Sequence, residues 1–406
     1  MIDQIEYKEY PVEAMTLLED FARIPAPSGK EDKRVAFCLD WLQKNGVQGA
    51  FQDEAKNLII PFGDSGQNPL VVFSAHSDLV FPDETPLPYR DDGELIHCPG
   101  IADNSVHVVA LLWAAKLLSS GIIRKKGRGF SESNPSISGK KSPETGKPAE
   151  GLLLVINSCE EGLGNLKGSR HLLETYGKRV KAFIAFDSIY EEIVTIPIGS
   201  MRYRIHVTTQ GGHSFRDFGQ KNAIAILSDI VHDLYQLQVP AAGKTTFNVG
   251  TIQGGTSVNT IAQSAEMLFE FRSDDRNSLS FMHQQLQEIL EKHRSHAPAG
   301  LEPKNLSEAV NISCDLIGQR PCMGDVDPAA RDSLVALAEK LLRRHYPEEP
   351  VFSYGSTDCN IPLSLGIPAV CLGCCRGHGA HTREEYLRKD SLAPGLNLAI
   401  DFILSI

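Results

Sequence analysis

The sequence predicts an α/β protein with a mixed, mostly parallel sheet flanked by helices, into which a smaller α+β domain is inserted. Three observations indicate this. Apolar strand patterns alternate with helical patterns through about residue 196, an order typical of a sheet covered by helices. From residue 199 to 317 the order becomes strand, helix, two strands, helix and strand, which is typical of a small α+β sandwich. The character of the first region then resumes at Gly318.

Two helices are predicted between residues 11 and 46, from apolar residues that recur at helical spacing. Residues 25–29, which are rich in proline, form a turn between these helices, and Ser28 is positioned to cap the second one. A third helix is predicted from about residue 106 to about residue 121, again from its apolar periodicity.

Strands of the larger domain are predicted at apolar runs in residues 70–73, 152–156, 182–186 and 369–372. In the smaller domain, alternation over residues 203–209 predicts a half-buried strand, and residues 222–237 form an amphipathic helix. The remaining elements of that domain are expected at about residues 245–253, 264–273, 278–294 and 309–317. The predicted boundaries are therefore 1–198 with 318–406 for the larger domain, and 199–317 for the inserted one.

Residues 124–149 interrupt the alternation of strands and helices. The segment begins with basic residues and continues with Ser, Gly, Lys and Pro, with almost no apolar content. Such a composition predicts an exposed, flexible loop insertion. Its basic start could alternatively bind an anion, but a solvated loop is the favoured interpretation.

Composition excludes several classes of function. The net charge of -11 and the lack of a basic stripe argue against a nucleic-acid partner. The acidic N-terminus lacks the apolar core of a secretory signal, and no run of 18 or more apolar residues predicts a membrane span. The nine cysteines are an odd number in apolar or turn contexts, which predicts free thiols in a reducing cytoplasm.

Side chains of the types that bind metal ions follow the predicted strands of the larger domain. They are His76 and Asp78, Asp103, Glu160 and Glu161, Asp187, and His381. In open α/β sheets, ligands bind in the crevice outside the carboxyl ends of the strands. Two histidines, His76 and His381, and three carboxylates, from Asp103, Asp187 and one glutamate of the Glu160–Glu161 pair, predict a dinuclear metal site of a hydrolase.

Two pairs within this set have complementary roles. In an extended segment His76 and Asp78 point to the same side, so Asp78 can accept the second ring N–H of a metal-binding His76. Adjacent residues in a turn diverge, so Glu161 can bind metal while Glu160 acts as a general base. The competing interpretation of Glu160 and Glu161 is a solvated acidic turn, but the apolar strand before them favours a function.

Several single residues have a second interpretation. Asp103 could simply cap the helix that follows it, and His378 competes with His381. Zinc accepts mixed imidazole and carboxylate ligands, and manganese or cobalt can substitute for it. Cys371, with Cys374 and Cys375 after it, could form a redox or metal motif, but the apolar strand around Cys371 favours a structural role.

Taken together, these motifs resemble the M20 family of metallopeptidases and amidohydrolases over nearly the whole chain. The resemblance implies that His76, Asp103 and Asp187 hold one metal ion. It implies that Asp103, Glu161 and His381 hold the other. Glu160 would then be the general base, and Asp78 would orient His76.

The inserted domain resembles the lid and dimerisation domain of that family. By this resemblance His213, in a Gly-Gly-His-Ser motif, would reach the active site of a neighbouring subunit and polarise the scissile carbonyl. Asn259 and Arg272 would bind polar groups of the substrate, and a loop containing Ser356 and Thr357 would cradle it. Two structural roles remain open: Asn259 could cap a turn, and Arg272 could form an ion pair on the sheet surface.

With its Pro-Gly-Ile-Ala-Asp motif at 99–103 and its Glu-Glu-Gly-Leu-Gly motif at 160–164, the chain looks most like the peptidase T-like subgroup. In the family, Asp at the position of Asp187 is usual in aminopeptidases and dipeptidases, whereas Glu there is commoner in carboxypeptidases and deacylases. The expected activity is cleavage of small peptides of the aminopeptidase, dipeptidase or tripeptidase type. One alternative is an N-acyl amino acid deacylase, similar to acetylornithine deacetylase, and another is a non-catalytic binding protein. Ser105, where many members carry a basic residue, and the 124–149 insertion depart from the family pattern.

Overall fold

The computed structural model of the protein describes residues 6–123, 150–189, 192–295 and 310–406, so the predicted loop insertion at 124–149 lies outside the described residues. The chain divides into two compact units. Unit 1 comprises residues 1–197 and 324–406, and unit 2 comprises residues 198–323. Each unit is described by itself.

The helices of the described ranges are α1 (Val12–Ala22), α2 (Asp32–Lys44), α3 (Val106–Ser119), α4 (Lys167–Tyr176), α5 (Ala223–Leu234), α6 (Arg276–Ser295), α7 (Pro328–His345), α8 (Asn360–Ser364) and α9 (Leu392–Ser405). Three single-turn segments lie at Ile101–Ser105, Gly162–Gly164 and Lys389–Ser391.

The strands of the described ranges are β1 (Phe51–Gln52), β2 (Leu58–Phe62), β3 (Leu70–His76), β4 (Arg90–Asp91), β5 (Leu95–His97), β6 (Gly151–Asn157), β7 (Val180–Phe186), β8 (Glu192–Pro197), β9 (Gly199–Thr208), β10 (Gly212–His213), β11 (Thr245–Gly254), β12 (Thr260–Ile261), β13 (Ser264–Ser273), β14 (Asn311–Arg320), β15 (Val351–Gly355), β16 (Ala369–Leu372), β17 (Gly377–His378) and β18 (Tyr386–Arg388).

Unit 1 is built on an eight-stranded sheet with the order β1-β2-β6-β3-β7-β16-β8-β15. Its centre, from β6 to β16, is parallel, and so is the β8–β15 pair. The pairs β1–β2, β2–β6 and β16–β8 are antiparallel. The predicted mixed, mostly parallel sheet is therefore confirmed.

The central strands place their carboxyl ends together. β3 and β6 are buried at every residue, as expected for strands covered on both faces. Their register pairs His76 with Asn157, and β7 and β16 pair Phe186 with Leu372. The polar residues that follow these four strands consequently emerge along one edge of the sheet.

Helix α3 lies in the core of unit 1. Ile101–Ser119 is the one segment of the described chain with a length and hydropathy that would suit a membrane span, and 83% of its most apolar 18-residue window is buried inside the protein. A helix that is apolar on all sides is expected in the interior of a large domain. The apolarity of α3 is therefore explained by its packing in unit 1.

A second, smaller sheet of unit 1 joins two distant parts of the chain. It is antiparallel with the order β17-β18-β5-β4. The β18–β5 register pairs Tyr386 with His97 and Arg388 with Leu95. This pairing places the segment before Asp103 beside the segment after His381.

Unit 2 contains a four-stranded antiparallel sheet with the order β11-β13-β9-β14. Alternate residues of β13 are buried with the apolar faces of α5 and α6. The predicted order of strands and helices is found, with the short strands β10 and β12 in addition. The unit extends beyond residue 317 because β14 continues to Arg320, which pairs with Ser200 of β9.

Candidate metal centre

The carboxylate of Asp103 lies between two imidazole rings. Its Oδ1 is 3.0 Å from Nε2 of His76, and its Oδ2 is 3.2 Å from Nε2 of His381. Each oxygen of one carboxylate therefore faces a different ring. A carboxylate in this position is able to bridge two cations.

Two groups of potential ligands share Asp103. One consists of His76, Asp103 and Asp187, and the other of Asp103, Glu161 and His381; within each group the donor atoms lie within 4.8 Å of one another. The structure thus brings together all five side chains for which the sequence predicts metal binding. Among the described residues a further, overlapping group joins His76 with Glu160 and Glu161.

The fold explains why these side chains meet. His76 is the last residue of β3, Asp187 directly follows β7, and Glu160 and Glu161 follow β6. Asp103 lies in the turn that precedes α3, and His381 lies between β17 and β18.

Left-handed backbone conformations occur at this edge of the sheet. Cys159, just before Glu160, has φ of 56°, Ser188, just after Asp187, has φ of 73°, and His381 itself has φ of 64°. Such values are uncommon for residues other than glycine and often mark functional sites. At Cys159 the sharp turn directs the chain out of β6, so that two adjacent glutamates follow it at the site.

The charges of the centre suit divalent cations. Burial raises the pKa of Asp187 to about 7; His76 opposes this rise, and the charges of Asp103, Glu161 and Asp358 add to it. Burial alone would lower the pKa of His76, but hydrogen bonds with Asp103 and Asp78 hold it well above its usual value. Carboxylates crowded in this way require neutralisation, and a mixed imidazole and carboxylate set fits zinc, manganese or cobalt.

Asp78 lies beneath the centre and connects two of its parts. Its carboxylate accepts hydrogen bonds from the backbone N–H groups of Glu160 and Glu161, each at 2.9 Å. It also accepts the hydroxyl of Ser28 at 2.6 Å. Nδ1 of His76 lies 3.2 Å from the carbonyl oxygen of Asp78 and 3.5 Å from its Oδ1. Asp78 thereby holds both the His76 ring and the Glu160–Glu161 turn.

Ser28 contacts Asp78 and does not cap the helix that the sequence pattern assigns to it. The N-terminal residue before α2 is Glu31, and Ser28 makes no cap of that helix. The hydrogen bond between Ser28 and Asp78 joins residues that are 50 positions apart in the chain. A contact of this range has no local sequence signal.

Asp358 is the last residue of the predicted substrate loop at 355–358, and no role of its own is assigned to it from the sequence. It is buried, and it accepts hydrogen bonds from the hydroxyl of Ser169 and from Nδ2 of Asn157. Burial raises its pKa. A sequence signal existed, because Asp358 directly follows Ser356 and Thr357 in the predicted substrate loop.

Arg34 is a buried arginine below the same edge of the sheet. Its NH1 group donates to the carbonyl oxygen of Ser77 at 3.0 Å, and its Nε donates to the carbonyl oxygen of Ile24 at 2.8 Å. Burial lowers its pKa to about 10. Arg34 therefore fixes the peptide group between Ser77 and Asp78. The sequence places Arg34 directly before the apolar residues that form one face of α2, and this position indicates that Arg34 is buried.

Several polar groups of the loop after β15 form hydrogen bonds within the loop itself. The Thr357 hydroxyl accepts the backbone N–H of Cys359 at 3.2 Å, and the Thr357 N–H donates to Oδ1 of Asn360 at 2.9 Å. Thr357 is buried, whereas Ser356 is half-buried. Ser356 is consequently the more accessible of the two predicted substrate contacts.

Unit 2 brings two of its predicted residues together. The backbone N–H of Ser214 donates to the carbonyl oxygen of Asn259 at 3.0 Å, which places Asn259 beside the His213 loop. Nδ1 of His213 accepts the N–H of Phe215 at 3.2 Å. In a neutral ring the proton is then on Nε2, which leaves that atom as a hydrogen-bond donor.

Arg272 in unit 2 forms an ion pair with Glu270. Its Nε and NH2 groups lie 3.0 and 3.2 Å from the two carboxylate oxygens of Glu270. Arg202 contacts the same carboxylate at 3.3 Å. The ion pair on the sheet surface, which is one of the two roles that the sequence leaves open for Arg272, is therefore present.

The structure also bears on His378 and on the cysteines near it. The ring of His378 lies 6.2 Å from that of Tyr386, and His378 belongs to none of the ligand groups found among the described residues. All nine cysteines lie in the described ranges as free thiols, and Cys371, Cys374 and Cys375 are buried. This arrangement is consistent with His381, and not His378, as the proposed metal ligand. It is also consistent with a structural role for these three cysteines.

Comparisons with known proteins agree with the fold. A family model described as the peptidase dimerisation domain (M20_dimer) matches residues 198–298. A model described as peptidase family M28 matches residues 57–244.

Individual relatives are distant. A probable carboxypeptidase from Aspergillus clavatus is 23% identical over 280 residues, covering 62% of this chain and 60% of the relative. A succinyl-diaminopimelate desuccinylase from Alkalilimnicola ehrlichii is 24% identical over 259 residues, covering 59% of this chain and 62% of the relative. The matches thus span about three fifths of the length of these curated relatives.

The structural similarity extends over the whole chain. The crystal structure of aminopeptidase PepT from Bacillus cereus ATCC 10987 superimposes with a TM-score of 0.68 at 18% sequence identity, covering 98% of this chain and 100% of that one. At this identity the likeness concerns the fold. Together with the match of the dimerisation domain, it supports an M20 family metallopeptidase that resembles peptidase T.

Proposed function

We propose that the protein is a metal-dependent hydrolase that cleaves amide bonds in small peptides, of the aminopeptidase, dipeptidase or tripeptidase type. The observation that carries this proposal is the position of Asp103, whose two oxygens face His76 at 3.0 Å and His381 at 3.2 Å. A shared carboxylate between two ligand groups supports a dinuclear site. The fold likeness to peptidase T supports the choice of small peptides as substrates.

The ligands divide between two divalent ions, for which zinc is the first candidate and manganese or cobalt are alternatives. His76 and Asp187 complete the site on one side of Asp103, and Glu161 and His381 complete it on the other. When bound, the ions would polarise the scissile carbonyl and lower the pKa of the attacking water.

Glu160 is the proposed general base. It is 5% exposed, and it lies beside the ligand groups without being needed in either of the two that share Asp103. Its carboxylate takes the proton of the attacking water and then returns it to the leaving amine. Its backbone is fixed by the hydrogen bond to Asp78, so its side chain starts from a constrained position.

His213 is the proposed donor to the developing oxyanion. The hydrogen bond that Nδ1 accepts from Phe215 leaves Nε2–H as the free donor of a neutral ring. By the family resemblance this donor belongs to the active site of a partner subunit, so the proposal includes a homodimer. An exposed strand edge supports it: in the described part of unit 2, β11 pairs with β13 alone, and its residues 250–254 are exposed.

Asn259, Arg272, Ser356 and Thr357 are the proposed substrate contacts. Arg272 already forms an ion pair with Glu270, so a substrate carboxylate would have to replace or share that partner. The free thiols of all nine cysteines support a reducing, cytoplasmic location for the enzyme.

The test is mass-spectrometric detection of cleavage in a mixed pool after loading the protein with zinc or manganese. The pool contains free di- and tripeptides beside N-acyl amino acids and N-blocked peptides. We expect loss of the free peptides from their amino ends. A Glu160→Gln protein loaded in the same way serves as the matched control and leaves the pool intact.

An N-acyl amino acid deacylase is the second candidate. The similarity to a succinyl-diaminopimelate desuccinylase favours it, because the same ligands could serve a different pocket. Loss of only the acylated substrates would identify this activity. A protein that bound no metal and cleaved nothing would instead be a binding protein that has kept the fold.

A further inference from the structure

We propose that Glu385 is a positioning residue, which sets the affinity of the metal site formed by Asp103, Glu161 and His381 by locking the turn that carries Asp103. This inference rests on the proposed metal site. It concerns a residue that none of the sequence motifs or ligand groups includes.

The carboxylate of Glu385 accepts hydrogen bonds from three backbone N–H groups of one turn. Its Oε2 accepts the N–H of Gly100 at 2.5 Å, and its Oε1 accepts the N–H groups of Ala102 and Asp103, each at 2.9 Å. Glu385 is 1% exposed. Charged acceptors form strong hydrogen bonds with backbone N–H groups, so this turn is held firmly.

Both oxygens of Glu385 are therefore used by the backbone. Glu385 belongs to none of the ligand groups found among the described residues. Its influence on a metal ion must pass through Asp103, whose own N–H it binds. This is why we assign it a positioning role and not a ligand role.

Glu385 also connects the two ligands that approach from different parts of the chain. His381 lies four residues before it on the same loop. The carbonyl oxygen of Glu385 accepts the N–H of Cys98 at 3.3 Å, and the next residue, Tyr386, pairs with His97 in the small sheet. The side chain of Glu385 thus adds hydrogen bonds between the Asp103 turn and the His381 loop, which run side by side.

Gly100 restricts the turn from its other side. It has φ of 78°, which favours glycine, and a Cβ atom there would lie 2.1 Å from Cδ2 of Leu79. The turn is consequently confined between Leu79 and the carboxylate of Glu385. Without that carboxylate, three buried N–H groups lose their acceptor, and the Asp103 turn is free to rearrange toward new partners.

Stability alone would not reveal this role. Burial raises the pKa of Glu385 to about 7, so keeping its carboxylate charged has an energetic cost. Loss of the charge removes that cost, while it also weakens the hydrogen bonds with the three N–H groups and leaves that of Gly100 facing a group that cannot accept it. Metal affinity is the more direct measure, because outer partners of metal ligands typically change it by about 10- to 100-fold when they are replaced.

The experiment compares Glu385→Gln and Glu385→Asp with Glu384→Gln, a matched change at the exposed neighbour on the same loop. Zinc binding to each metal-free protein is measured by titration calorimetry, and cobalt-loaded samples are compared by their visible absorption spectra. We expect Glu385→Gln to weaken at least one of two zinc-binding steps about 10- to 100-fold and to change the cobalt spectrum. Glu385→Asp, which keeps the charge, should recover part of the affinity, and Glu384→Gln should match the unchanged protein.

Melting curves in the presence of a chelator separate positioning from a structural role. A Glu385→Gln protein that melts at a lower temperature but binds two zinc ions with unchanged affinity and spectrum would overturn the inference. If Glu385→Gln does not fold, Glu385→Asp decides: its carboxylate is one carbon shorter and cannot reach all three N–H groups, so unchanged zinc affinity and an unchanged cobalt spectrum in this variant would overturn the inference. If the unchanged protein binds no zinc, the proposed function fails instead, and the two failures are distinguishable.

Discussion

The carboxylate of Asp78 accepts the backbone N–H of Glu160 at 2.9 Å. The same carboxylate holds the N–H of Glu161 and lies beside the ring of His76. One buried acid thus fixes the proposed base, a proposed ligand from β6 and a proposed ligand from β3. Its pKa is below the usual value although burial raises it, because hydrogen bonds from His76 and other donors favour the carboxylate.

Replacement of Asp78 with Asn should lower kcat by about 10- to 100-fold, together with metal affinity. An amide keeps the size of the side chain but presents an N–H group to backbone N–H donors, so the Glu160 turn must shift. Steady-state kinetics with a free dipeptide and zinc titration measure both quantities. Ser28→Ala, which removes only one donor to Asp78, should have a smaller effect. Unchanged kcat in Asp78→Asn would show that the turn does not depend on this contact.

Replacement of Glu160 with Gln should reduce kcat by about 10²- to 10⁴-fold, the usual contribution of a general base. The number of metal ions per chain should not change, because Glu160 is outside the two ligand groups that share Asp103. Kinetics and metal analysis of the same preparation test both statements. Glu174→Gln, an exposed change on α4, is the control. An active Glu160→Gln protein would exclude Glu160 as the base.

Metal binding should release protons at neutral pH. Hydrogen bonds with Asp103 and Glu161 raise the pKa of His381 to about 10 before a metal binds, so its ring is protonated at pH 7. A metal ion binds only the neutral ring, and the proton must leave. Apparent zinc affinity should therefore rise with pH from 7 toward 10. Calorimetry in buffers of different ionisation enthalpy counts the protons; binding at pH 7 without any release would contradict the raised pKa.

A mixture of two inactive proteins tests whether His213 acts in a partner subunit. His213→Ala and Glu160→Gln proteins should each have low activity alone. If subunits exchange, half of the dimers are mixed, and each mixed dimer has one complete site, so activity should return to about a quarter of the normal value. Exchange is followed by mass spectrometry of the intact dimers. Mixed dimers without restored activity would mean that His213 does not serve the neighbouring site.

The parts of the centre that depend on strand ends could be predicted from the sequence. Asp187 and His76 could be placed because each follows or ends an apolar run, and the carboxyl ends of neighbouring strands meet. The choice of His381 over His378 came from the family resemblance, and in the described structure His381 contacts the carboxylate of Asp103.

The supporting residues could not be predicted in the same way. Glu385 binds a turn that is more than 280 residues away in the chain, as its hydrogen bond with Asp103 shows, and no local pattern encodes that contact. Arg34 precedes an apolar helix face, which indicates burial but not the carbonyl group of Ser77 as its partner. Arg272 had two open interpretations, because sequence spacing does not reveal whether Glu270 already occupies its guanidinium group.

The most direct test of the account is the number of zinc ions that the protein binds before and after replacement of Asp103 with Ala. Because Asp103 is shared by both ligand groups, the account predicts two tightly bound ions in the unchanged protein and the loss of tight binding at both sites in Asp103→Ala. His381→Ala, which removes a ligand of one group only, should keep one ion. Two tightly bound ions in Asp103→Ala, or fewer than two in the unchanged protein, would contradict a dinuclear centre bridged by this residue.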